Sequence, residues 1–111
     1  MSAAPAPGTV LGRLDALEDG KGKVMHGGPG GTLVVRSGDE AFAWRNFCPH
    51  AGLPLAMPDG RVLVHQGQNI VCPVHGASFD VKSGACTGGP AAGDELTAVA
   101  VDVVNGEIIV R

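Results

Sequence analysis

Cys48-Pro49-His50 and Cys72-Pro73-Val74-His75 set two thiols and two imidazoles in a matched pair of short loops. Any fold this chain adopts has to carry both loops to one place. Thiolate and neutral imidazole are good ligands for borderline transition metals, which leaves two chemistries open: zinc in a Cys2His2 shell, or an iron–sulfur cluster. The flanking residues suit either. Pro49 and Pro73 fix φ and remove a donor beside each thiol, stiffening the loop where the sulfur must be held ready. Gly52 and Gly76, just past the histidines, let the backbone turn tightly and point N–H groups toward the metal site.

Around these loops, residues 46–90 read NFCPHAGLPL, then IVCPVHGASFDVKSG, then GGP. In that order the segments resemble the Rieske proteins, whose [2Fe-2S] cluster is held by one Cys-x-His loop and one Cys-x-x-His loop. The resemblance implies one [2Fe-2S] cluster, with Cys48 and Cys72 on the inner iron and His50 and His75 on the outer. Two neutral imidazoles in place of two thiolates remove negative charge and ease reduction. Each imidazole also brings a second ring nitrogen that can face solvent or a partner, so electron exit through His50 or His75 is expected. Gly88-Gly89-Pro90 is similar to the proline loop that covers the cluster in this family, and Pro90 is expected to screen the iron from water.

Departures from the family pattern indicate the branch. Quinol-oxidising members bridge the two loops with a disulfide, at positions that here hold Leu53 and Val74. The same members place a serine and a tyrosine hydroxyl near the cluster, where this chain has Ala77 and Phe79. Two hydrogen bonds that would stabilise the reduced state are missing, so the potential should lie toward the low end of the Rieske range, about −150 mV.

Outside the loops the chain reads as short β-rich runs: 9–14, 32–36, 41–46, 61–65, 69–72, 96–104 and 107–110, separated by glycine or asparagine turns. Val99, Val101 and Val103 alternate and predict one buried face. Asn105-Gly106 is the strongest hairpin signal, because a type I′ turn needs positive φ at both central residues. Residues 14–19 can form a short turn at most. The gap from His50 to Cys72 is longer than usual for a ferredoxin-type member, and the extra residues are expected to form a hairpin over 61–72, away from the ligands. His26 falls in a glycine-rich turn, His65 ends a strand, and neither has a cysteine at ligand spacing. Cys86 is expected as a small buried residue in the loop 83–90, with no intrachain disulfide partner once two cysteines hold iron.

These runs fit an all-β architecture of antiparallel sheets in one domain, residues 1–111. The resemblance implies a cluster-binding subdomain of about 46–90, inserted in a base formed by about 9–45 and 91–111. A chain of 111 residues is small enough for a bound cluster to contribute materially to its stability. The net charge of −3 and the absence of a basic stripe argue against nucleic-acid binding. No run reaches the roughly twenty apolar residues of a membrane span, and the first residues carry no export signal, so a cytoplasmic protein with no membrane partner is expected.

The family's oxygenases add a mononuclear iron site in a large catalytic domain, which has no counterpart here, so the chain is not expected to be an enzyme by itself. The resemblance implies a Rieske-type ferredoxin, a one-electron carrier between a flavoprotein reductase and a terminal oxidoreductase such as an aromatic-ring-hydroxylating oxygenase. Two alternatives stay open: an accessory Rieske-like small subunit of a larger oxidoreductase such as nitrite reductase, and a zinc-binding structural module.

Overall fold

Strand-forming residues dominate wherever the chain is buried on both sides. In Thr32-Leu33-Val34-Val35 all four residues are buried, Leu33 and Val35 in one core and Val34 in a second. A strand with two covered faces reads as a continuous apolar run rather than an alternating one. The computed structural model describes residues 5–27, 31–49, 53–73, 76–89 and 93–111. Among these, the strands in chain order are β1 (Val10–Arg13), β2 (Gly22–His26), β3 (Thr32–Ser37), β4 (Glu40–Arg45), β5 (Arg61–His65), β6 (Asn69–Val71), β7 (Ser78–Asp80), β8 (Cys86–Gly88), β9 (Ala98–Val99), β10 (Val101–Val104) and β11 (Glu107–Val110), with a 3-10 turn at Leu14–Ala16. The all-β, antiparallel reading holds. Among the described residues no helix is long and apolar enough to cross a membrane.

The strands form two sheets, one ordered β1-β11-β10 and one ordered β8-β7-β6-β5-β2-β3-β4-β9. The larger sheet is strongly curled. β4 and β7 stand five places apart in it, which in a flat sheet at about 4.8 Å per strand would separate them by roughly 24 Å. Instead the Trp44 Nε1–H on β4 donates to the carbonyl of Val81, just past β7, at 3.1 Å. The edges also meet. Leu96 N–H donates to the Gly84 carbonyl at 2.8 Å, Cys86 N–H to the Asp94 carbonyl at 3.1 Å, and Ala85 bridges Glu95. Curling in this way covers the edge-strand backbone groups that an open sheet would expose.

Two cores result. Inside the curl lie Leu33, Val35, Trp44, Cys48, Leu55, Ile70, Cys72, Phe79 and Val81. Between the outer face of β3, β4 and β9 and the smaller sheet lie Leu11, Val34, Ala43, Val99, Ile108 and Val110. β3 and β4 are therefore a shared wall, with Trp44 facing the first core and Ala43 the second.

Several sequence expectations are met closely. The hairpin turn between β10 and β11 has φ of 52° at Asn105 and 80° at Gly106, as a type I′ turn requires. β5 pairs with β6 in the expected hairpin, Leu63 opposite Val71 and His65 opposite Asn69. That hairpin is not peripheral, however: β5 also pairs with β2, β6 pairs with β7, and β6 runs directly into Cys72. The expectation of a hairpin set apart from the ligands is corrected, because sheet neighbours are a tertiary property.

The expected strand over 96–104 is divided. β9 pairs with β4 in the large sheet and β10 with β11 in the small one, so the chain changes sheets at Ala100. Val99 is buried and Val101 and Val103 pack against the same core, which preserves the predicted face. β2 was not expected. His26 ends this strand opposite Thr32 rather than lying within the turn, because Gly22-Lys23-Val24-Met25-His26 lacks the β-branched alternation that marks a strand. Cys86 likewise begins β8, half-buried and paired with Phe79, instead of sitting in a loop.

Trp44 makes the closure tight. Gly84 has φ of +75°, and a Cβ there would lie 2.6 Å from the indole ring. Gly84→Ala is expected to cost at least about 1–3 kcal/mol through overpacking alone, seen as a lower denaturation midpoint. Trp44→Phe keeps most of the ring but leaves the buried Val81 carbonyl without its donor. It should lower the midpoint by about 1–3 kcal/mol, whereas an unchanged midpoint would show the bond to be dispensable.

Candidate metal centre

Both cysteines emerge from strand ends on the inside of the curl. Asn46 and Phe47 separate Cys48 from β4, and Cys72 follows β6 without a break. Cys48 is 0% and Cys72 1% exposed, and both belong to the core that holds Phe79, Leu55 and Ile70. In a flat sheet β4 and β6 would be far apart, so the curl brings the two thiols into one core. No disulfide forms among the described residues.

The loops are built alike. Cys48 N–H donates to the Leu53 carbonyl at 2.7 Å, and Cys72 N–H donates to the Ala77 carbonyl at 2.7 Å. In each case the cysteine closes a loop onto the residue five positions later, with a proline directly after the cysteine. Gly76 N–H donates to the Cys72 carbonyl at 3.0 Å, so it braces the loop backbone rather than pointing at a sulfur as expected. The side-chain oxygen of Asn46 accepts from the N–H groups of Leu55 and Ala56, each at 3.0 Å. Asn46 was legible in the sequence only as a motif boundary, and this bracing role could not be read from it.

The remaining expected site residues fall differently. His50, His75 and Pro90, with Gly52 and Val74, lie outside the described residues. Gly89, next to Pro90, abuts the second loop: a Cβ on it would lie 2.8 Å from Ala77 Cα. Leu53 is 40% exposed beside the first loop. Ala77 and Phe79 are fully buried in the core that holds both cysteines, and neither side chain carries a hydroxyl. The Cys86 thiol donates to the carbonyl of Gly88 on its own strand at 3.2 Å. His65 is exposed at the end of β5.

Acid groups near the loops are tuned by local turns. Asp80 lies below the ordinary carboxylate range because the Ser83 side chain and then its backbone N–H hydrogen-bond the ionised form. Asp59 is lowered by the backbone N–H of Arg61 and then by its guanidinium. Both are turn-stabilising contacts, on the β7–β8 connection and at the entry to β5.

The donor chemistry fits a [2Fe-2S] group. Two thiols sit buried in one apolar core, each at the mouth of a short loop closed by backbone hydrogen bonds, and each loop carries a histidine in sequence. Comparison with known proteins agrees. The family model described as the Rieske [2Fe-2S] domain matches residues 9–104. The ferredoxin of carbazole 1,9a-dioxygenase from Nocardioides aromaticivorans IC177 is 32% identical, with a TM-score of 0.71 and 97% of each chain covered. The ferredoxin of Sphingomonas yanoikuyae B1 is 26% identical, with a TM-score of 0.73, covering 93% of this chain and 96% of that one. A chain from the complex of reduced oxygenase and oxidized ferredoxin in carbazole 1,9a-dioxygenase is 27% identical, with a TM-score of 0.74, covering 93% and 100%. No curated sequence is significantly similar to the chain. The match over residues 9–104, with these likenesses, shows that the chain belongs to the Rieske [2Fe-2S] domain family and has one [2Fe-2S] cluster as its cofactor.

Proposed function

We propose that the chain is a Rieske-type ferredoxin, carrying single electrons from a flavoprotein reductase to a terminal oxidoreductase such as an aromatic-ring-hydroxylating oxygenase. The observation that carries this reading is end-to-end likeness to an oxygenase ferredoxin, 32% identical over 97% of both chains. A ferredoxin at 27% identity whose structure was solved in complex with its oxygenase supports an oxygenase as the partner class. The proposal places the protein in the cytoplasm, where reducing conditions keep thiols available for metal.

In this proposal Cys48, Cys72, His50 and His75 hold the cluster, and Pro90 covers it. Residues of about 46–90 act as the cluster-binding subdomain within the base. When bound, the cluster supplies a one-electron couple. The protein's part is to exclude water from the sulfurs with the core around Phe79, Leu55 and Ile70, and to hold the loops in register through the Cys48–Leu53 and Cys72–Ala77 backbone bonds. His50 and His75 would each have a second ring nitrogen able to exchange a proton with water or a partner.

Anaerobically reconstituted protein should contain iron and labile sulfide and be reducible by a flavoprotein reductase. His50→Ala and Cys72→Ala should each lose the visible bands, and a spectrum unchanged by both would overturn the ligand assignment. Stable co-purification with a larger subunit, in place of reversible electron delivery, would mark the accessory-subunit alternative. Because Ala77 and Phe79 offer no hydroxyl, redox titration is expected to give a potential toward about −150 mV, and a strongly positive value would contradict that account.

A further inference from the structure

Trp44, Asn46 and Cys48 alternate along the end of β4 and beyond it, and all three are buried. Trp44 fastens the far wall through Val81, and Cys48 presents a thiol. Asn46, between them, is 2% exposed and lies where a polar side chain is costly unless its hydrogen bonds are met. Its backbone N–H donates to the Gly31 carbonyl at 2.8 Å, which fixes the residue to the strand wall. Its side-chain oxygen then accepts from two successive N–H groups, Leu55 and Ala56, on the segment that returns from the first cysteine loop. Both donors are buried, Leu55 fully, so without this oxygen they would be buried donors in an apolar core. Ala56 in turn bridges Val62 at the start of β5.

We infer that Asn46 is the positioning residue of the first cysteine loop, holding the exit of that loop to the wall from which Cys48 projects and so setting where the Cys48 thiol meets the metal. The inference rests on the proposed ligand role of Cys48. The geometry is a two-rung ladder. Cys48 N–H to the Leu53 carbonyl is one rung, and the Asn46 oxygen on Leu55 and Ala56 is the other. The Ala56–Val62 bridge ties the loop exit to β5, and the Asn46 oxygen ties the same exit to the end of β4, from which Cys48 projects.

Hydrogen exchange read by mass spectrometry on the holoprotein tests this, together with iron loss to a chelator and the g-values of the reduced cluster. Asn46→Ala should raise exchange of the 53–57 segment by about tenfold or more while the β10–β11 hairpin is unchanged. It should also release iron several-fold faster and shift the g-values. Asn46→Asp keeps an acceptor oxygen for the Leu55 and Ala56 N–H groups, so its 53–57 segment should exchange more slowly than that of Asn46→Ala. Unchanged exchange or iron release in Asn46→Ala, or exchange in Asn46→Asp as fast as in Asn46→Ala, overturns the inference. If Asn46→Ala does not accumulate as folded protein, Asn46→Thr, with one acceptor oxygen, should exchange faster than Asn46→Asp, and equal rates would count against the clamp. Cys48→Ala separates this idea from the reading beneath it: retention of the visible bands there would sink the ligand role of Cys48, whereas unaltered exchange in Asn46→Ala would sink the clamp alone.

Discussion

The 3.1 Å hydrogen bond from the Trp44 indole to the Val81 carbonyl marks the constraint on which the site depends, the curling of one long antiparallel sheet until strands five places apart meet. Sheet twist favours curvature in general, but only specific cross-links turn it into closure. Here they are the indole, the close seat of its ring on Gly84, and the backbone bonds joining 84–86 to 94–96. Without that closure the ends of β4 and β6 would stand on separate parts of an open sheet, and their cysteines could not share a core.

The same wall does a second job. β3 and β4 are buried on both faces, so the core around the cysteines and the core beneath the smaller sheet are separated by one layer of backbone. A small domain gains from this, because each residue of the wall covers apolar surface on two sides. It also makes the first cysteine loop an extension of this wall, since only Asn46 and Phe47 separate Cys48 from β4, and a site needing fixed geometry is best placed on such an element.

Compared with a loop pair locked by a disulfide, this arrangement relies on hydrogen bonds. The two loops close through equivalent backbone bonds five residues apart, and the first gains side-chain bracing from Asn46. Ala77 and Phe79 add a fully buried methyl and phenyl group to the core that holds both cysteines.

What could be read from residues alone was local chemistry. The Cys-Pro-x-His spacing, the resemblance it carries, the Asn105-Gly106 turn and the 61–65/69–71 hairpin are all encoded within a few positions, where sterics and ligand preference act directly. β2, the β8 placement of Cys86 and the change of sheet at Ala100 were not legible, because each depends on which distant strand supplies the hydrogen-bond partner. The sequence by itself determined the all-β class and supplied the two Cys/His motifs from which the ligand set is proposed. Only the tertiary structure decided that the two thiols share one core and that Asn46 braces the first loop, since burial and cross-sheet hydrogen bonds exist only once the sheet has closed on itself.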